Sequence, residues 1–361
     1  MPDLHMVEVD GPFEMLGSET RHFPAGAYYF IATSDLKVAV VRKAASSGGT
    51  NSSGALKLER QIEGKVIALS GVSGEPLPTR TSNGPHKYLG VVTFSCHRSL
   101  GLSGQMQCVL SVINRIDRRH YVESVVGSET LPNWPAEVLK AQAVLVQTLL
   151  ARRDPKMPLG DSTQCMLYEG SDYARKETVS AVSAVWNKCL LYKGTPIQVF
   201  YHPTCGGRTS SAFAVFGSAA KGFTYLPSVK CDFCKDAPFW KPTVRYVPAA
   251  KFATVFGAEL PLLKSFDAAK RPGSVSFVRA GKPIEMSGYK FWLFLGQRFG
   301  WDKAPGLRFS LAREGNKIAI SSTGAGHGVG LCEWGAARQA EQGRKYPEIL
   351  RYYFPGTELS H

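Results

Sequence analysis

Apolar residues recur along this chain in two rhythms. Up to about residue 115 they come in short β-branched or aromatic runs, at 27–31, 38–41, 65–69, 88–94 and 106–114. Runs of this length, bounded by Gly, Pro, Ser and Asn clusters, predict strands. Two stretches carry few side chains that build a core: residues 44–55, rich in Gly and Ser, and residues 71–85, rich in Gly, Pro, Ser and Thr. The first predicts a flexible loop and the second a boundary. The expected organisation is a β-rich N-terminal segment over 1–83 and a larger domain over 84–358.

Beyond residue 130 the period lengthens. Val138, Ala141, Leu145 and Leu149 fall at helical spacing, with Leu139, Ala143, Val146 and Leu150 as an adjoining stripe. So wide an apolar face predicts a largely buried helix over 133–153. Asn133 is its expected N-cap, Pro135 lies in its first turn, and Glu137 suits the positive helix end. Further helices are predicted over 177–188, 335–342 and 347–354, with strands near 190 and over 197–201. Short strands and short helices alternate from 244 to 320. The pattern predicts an α+β fold, with a central buried helix packed on β-structure.

Composition changes this picture little. With 361 residues, 44% apolar and 20% charged, the chain is an ordinary globular one. Its 43 Lys and Arg against 29 Asp and Glu give a net charge of +14. That excess favours an anionic partner, whether nucleic acid, phospholipid surface or wall polymer, without choosing among them. The basic residues are dispersed, and no aromatic-interleaved basic run lies near the cysteines, which argues against nucleic acid. No run reaches the roughly 18 apolar residues of a membrane helix. The first ten residues show neither the basic nor the apolar region of a signal peptide.

Three segments carry candidate chemistry. Residues 324–330, GAGHGVG, place His327 among glycines that let backbone approach a ligand; the plainer reading is a tight turn whose histidine bonds only backbone. His202 and Cys205, with Cys231 and Cys234 after 25 intervening residues, offer one imidazole and three thiols. That set matches the tetrahedral N/S demand of structural zinc; a redox dithiol or a disulfide at Cys231 and Cys234 are the competing readings. Glu129 sits just before the long helix, five residues from Trp134. A carboxyl beside an aromatic can serve as a general acid, although a loop glutamate is more often solvated surface.

Residues 129–142 (ETLPNWPAEVLKAQ), 162–209 (STQCMLYEG to FYHPTCGGRT) and 326–358 (GHGVGLCEWGAARQAEQGRKYPEILRYYFPGTE) occur in an order that resembles the sporulation stage II protein D (SpoIID) family and its amidase-enhancer relatives. The resemblance covers roughly residues 84–358 and implies a SpoIID-type domain there. It implies a lytic transglycosylase that cleaves peptidoglycan glycan strands, preferring those stripped of stem peptides, without water. Such an enzyme serves cell-wall remodelling or division at the cell envelope, with the export segment not visible in this chain. Glu129 occupies the family's catalytic position, and Lys140, Gln142, Tyr201 and His327 match positions near the cleft. A single carboxyl can protonate the leaving oxygen and then take the C6 hydroxyl proton. The chain departs from the family at Leu131-Pro132, at Gln147 in place of an arginine, and at Cys332-Glu333. The resemblance also implies an alternative, a glycan-binding activator of a cell-wall amidase with no catalysis of its own.

Overall fold

The computed structural model describes residues 6–10, 12–17, 19–24, 27–43, 58–81, 84–100, 105–161 and 165–360. The expected flexible loop at 44–55 and the Ser162-Thr163-Gln164 stretch lie outside them. The fold is α+β, and the chain divides into two compact units. Met1–Leu131 and Pro155–Ser180 form the first; Pro132–Asp154 and Ala181–His361 form the second.

In the first unit, alternation along strands such as Ala27–Ala32 and Val66–Gly71 buries one face of each. One antiparallel sheet runs Leu58–Gly64, Val38–Lys43, Ala27–Ala32, Met6–Asp10, Leu77–Thr81 and Gly84–Tyr88. The other runs Met106–Arg115, Val91–Leu100, Val66–Gly71, Phe13–Leu16 and Arg21–Phe23. Val9, Tyr28 and Phe30 from the first sheet share a core with Phe13, Leu69 and Phe94 from the second, Phe30 stacking on Phe94 at 4.3 Å. The boundary expected at 83/84 falls inside a hairpin, because Leu77–Thr81 pairs with Gly84–Tyr88. Within 71–85 the structure describes a 3₁₀ turn at Val72–Gly74 and these two paired strands.

The first helix, α1 (Arg118–Glu129), was not legible in the pattern. Asp117 caps it, its carboxylate accepting the Arg119 N–H at 2.8 Å. The long predicted helix is α2 (Ala136–Arg152) of the second unit. It begins later than expected, with Pro135 and not Asn133 as its N-cap. Pro135 disfavours helical backbone at Trp134, and Asn133 adopts a left-handed φ of 68°. The residues from Val138 to Thr148 other than Lys140 are buried. Glu137 of α2 accepts the Tyr346 N–H at 2.8 Å, which ties it to the start of the helix Tyr346–Tyr353.

The rest of the second unit is a set of small sheets. Thr243–Pro248, Lys317–Thr323 and Arg308–Glu314 form one antiparallel sheet; Leu262–Lys264, Ser274–Arg279 and Lys282–Ser287 form another. Tyr201–His202 pairs in parallel with Leu331–Cys332. The C-terminal helices span Glu333–Glu341 and Tyr346–Tyr353. Among the described residues no helix is long and apolar enough to cross a membrane.

Gln147, the departure noted within α2, is fully buried. Its Nε2 donates to the Ala143 carbonyl at 3.2 Å and the Val185 carbonyl at 3.0 Å, and its Oε1 accepts the Asn187 N–H at 2.7 Å. The residue therefore ties α2 to the segment that follows Val182. Gln147→Ala strips these partners inside the core and is expected to lower unfolding free energy by about 2–3 kcal/mol, read from the midpoint of a urea titration.

Candidate functional site

Glu129 is the last residue of α1, not part of an irregular connection. The helix end is built around it. The Thr130 hydroxyl donates back to the Val126 carbonyl, and Arg175 donates to the Gly127 carbonyl at 2.9 Å and the Thr130 carbonyl at 3.1 Å. A guanidinium on the last carbonyls suits the negative end of a helix. One Glu129 oxygen accepts the Leu167 N–H at 2.7 Å, which fixes the direction of a half-buried carboxyl. Glu129 thus has a rigid frame made from α1, Arg175 and Leu167, all in the first unit.

The other expected site residues belong to the second unit. Lys140 and Gln142 ride on α2. The Lys140 ammonium is 2.7 Å from Glu137, so that charge is held in a local ion pair. Gln142 is buried, and among the described residues its Nε2 has no hydrogen-bond partner. A buried amide donor without a protein partner calls for one from solvent or a ligand. Tyr201 is half-buried on the short strand Tyr201–His202.

His327 stands in the glycine-rich segment, where Gly324, Gly326, Gly328 and Gly330 all adopt a left-handed φ between 75° and 83°. Only glycine takes that conformation repeatedly without cost, which is why the motif is so glycine-dense. The His327 Nδ1 accepts the Val329 N–H at 3.0 Å, and the backbone of Tyr201 engages it too. His327 therefore bonds backbone of its own segment and of Tyr201, and its ring packs against Phe200 and Phe216.

The cysteines show the main difference from expectation. Cys205, Cys231, Cys234 and Cys332 are all buried, and their sulfurs lie within 4.8 Å of one another. Cys205 and Cys234 sulfurs are 3.5 Å apart. His202 is not in this set; its Nδ1–H bonds the Val329 carbonyl at 3.1 Å. The parallel pairing of His202 with Cys332 instead delivers the Cys332 sulfur, which accepts the Cys205 N–H at 3.3 Å. Four buried thiols suit a thiophilic cation. Burial pushes the Cys332 thiol far up, while its neighbours' hydrogen bonds pull the Cys234 thiol far down. The surroundings leave no excess room: a Cβ on Gly335 would come 2.7 Å from the Cys231 sulfur and 2.3 Å from the Tyr353 hydroxyl. The Cys231 sulfur already contacts that hydroxyl at 3.2 Å. The four-cysteine cluster can hold a metal.

A family model described as "Stage II sporulation protein" matches residues 107–192. The chain is 30% identical over 270 residues to the stage II sporulation protein D of Bacillus amyloliquefaciens, covering 69% of this chain and 75% of that one. To the stage II sporulation protein D of Bacillus subtilis it is 29% identical over 272 residues, covering 69% and 76%. It is 25% identical over 289 residues to the amidase enhancer of Bacillus subtilis, covering 66% of this chain and 40% of that one.

Burial and the nearby Arg271 charge hold the His327 imidazole down at about 4, and burial holds His202 well below its usual value. An unfolded histidine takes its proton near 6.5, so between there and pH 4 the unfolded state binds more protons. The stability these two histidines contribute is therefore fully present above pH 6.5 and falls as pH drops. The His327 share is roughly 2–3 kcal/mol between pH 7 and 4. His327→Gln is expected to flatten the plot of unfolding free energy against pH over that window. An unchanged slope means that His327 titrates normally in the folded protein.

Proposed function

The chain belongs to the stage II sporulation protein D family, and from that premise we propose that it is a lytic transglycosylase acting on peptidoglycan glycan strands at the cell envelope. The observation that carries this reading is the framing of Glu129. Its carboxyl ends a capped helix inside the family-matched region, and a backbone N–H fixes its direction. In the proposed reaction Glu129 protonates the glycosidic oxygen, and the C6 hydroxyl then closes onto the anomeric carbon as Glu129 takes its proton. The product is a 1,6-anhydromuramic end. The motif holds no second acid beside Glu129 to activate water, unlike the paired carboxylates of most glycosidases. The open Gln142 amide supports a role in binding a sugar hydroxyl or acetamido group. The +14 charge supports attachment to an anionic wall.

The proposed metal is one structural zinc held by Cys205, Cys231, Cys234 and Cys332, with all four positions filled by protein. Its contribution is to cross-link loops that have little core of their own. Elemental analysis is expected to give about one zinc per chain, retained in His202→Ala and lost in Cys332→Ser together with thermal stability. Loss of zinc from His202→Ala would return that imidazole to the ligand set.

The similarity to an amidase enhancer supports a second reading, a glycan-binding activator of a cell-wall amidase. Mass spectrometry of stripped peptidoglycan after incubation separates the two. Anhydro ends from the wild type, reduced on the order of 10²–10⁴-fold in Glu129→Gln, support the transglycosylase. Intact strands with a faster partner amidase support the activator, and reducing ends without the anhydro ring mean hydrolysis.

A further inference from the structure

Within the second unit an open groove of about 360 Å³ lies on the sheet face formed by Arg308–Glu314 and Lys317–Thr323. Arg308 stands opposite Thr323 and Ser310 opposite Ser321, so these four side chains share one face. Phe266 and Lys270 line the other side, and Phe266 is 55% exposed. None of these residues is among those the family resemblance singles out.

The turn that carries Lys270 is fixed from beneath. Asp267 accepts the Ala269 and Arg271 N–H groups at 2.9 and 2.8 Å and also the Ser210 hydroxyl. Buried Arg271 donates to the Arg208 carbonyl at 3.1 Å, the Ser210 hydroxyl at 2.9 Å and the Cys205 carbonyl at 3.0 Å. The acidic residue of the turn therefore faces inward and its lysine outward. Lys270 itself holds a left-handed φ of 59°, a conformation that lysine adopts only where its surroundings impose it. Arg308 donates to the Gly206 carbonyl at 3.1 Å. Among the described residues neither cation has a carboxylate within ion-pair distance.

We propose that this groove binds an acidic glycan, with Lys270 and Arg308 facing a sugar carboxylate, Phe266 covering a sugar face, and Ser310, Ser321 and Thr323 meeting ring hydroxyls. Two uncompensated cations call for an anion, and a row of short hydroxyls beside an exposed aromatic ring suits a sugar better than an apolar peptide. Identifying the natural glycan as wall strands, whose muramic residues carry free carboxylates once stem peptides are gone, rests on the proposed function above.

The test is calorimetric titration of the Glu129→Gln protein, which leaves the groove untouched, with stripped peptidoglycan oligosaccharides, polygalacturonate oligomers, neutral chitooligosaccharides and an oligo-dT strand. Both acidic glycans are expected to bind more tightly than the neutral one, by an amount that shrinks as salt rises. Lys270→Asn and Phe266→Ser, added singly, are expected to weaken both about tenfold. Asparagine accepts the left-handed backbone, so Lys270→Asn should not lower the melting temperature. Polygalacturonate binding that depends on Lys270, without binding of stripped strands, upholds the groove and removes its wall assignment. Affinities indifferent to both substitutions, equal affinity for the neutral sugar, or tighter binding of oligo-dT overturn the proposal.

Discussion

A parallel pairing only two residues long, Tyr201–His202 against Leu331–Cys332, holds the chemistry of the second unit together. A ladder so short contributes little by itself. Isolated bridges flank it, Thr204 to Ala325 and Ser210 to Val329, and side chains seal it. His202 and His327 bond to backbone on its flank, and Arg271 collects the Arg208 and Cys205 carbonyls beneath it. The pairing sets the Cys332 sulfur beside Cys205. One register thus decides which sulfur joins the cluster.

Arg271 joins features that otherwise look separate. It is a buried cation whose terminal nitrogens donate to carbonyls and a hydroxyl, while Asp267 next to it accepts backbone N–H groups and the Ser210 hydroxyl. That arrangement stiffens the turn 267–271 and anchors it to the loop that carries Cys205. The first unit uses an arginine in a related way: Arg175 gathers the last carbonyls of α1 and so steadies Glu129. In both places a guanidinium, with its planar fork of donors, organises backbone that would otherwise end in unpaired carbonyls.

Much of this was legible in the sequence, and the parts that were not have physical reasons. The stripe from Val138 to Leu150 gave α2 away because every buried turn repeats the same spacing. Its start was misjudged because Asn133 suits a cap by residue type, whereas Trp134-Pro135 decides the backbone there. The helix α1 stayed hidden because Glu123, Ser124 and Gly127 interrupt its buried face. Family position singled out Glu129, but no pattern announced the Arg175 and Leu167 partners that frame it. The two short-spaced pairs revealed three of the four clustered sulfurs. Cys332 could not be read, since a lone cysteine far down the chain carries no spacing signal, and only strand pairing makes it a neighbour of Cys205. The glycine-rich segment showed the reverse: its alternating residues were conspicuous, and the backbone alternates with them.

The path of the chain between its two units has a consequence for how the molecule comes into being. The chain leaves the first unit after Leu131, returns at Pro155 and leaves again after Ser180. During synthesis α2 therefore emerges with its apolar stripe uncovered. It waits for the helix Tyr346–Tyr353, whose first N–H its Glu137 accepts, to appear more than two hundred residues later. Contacts so far apart in sequence close slowly, and the exposed helix is the segment most open to wrong partners in the interval. Nor does any single cut separate the two units, because each is stitched through the other's sequence.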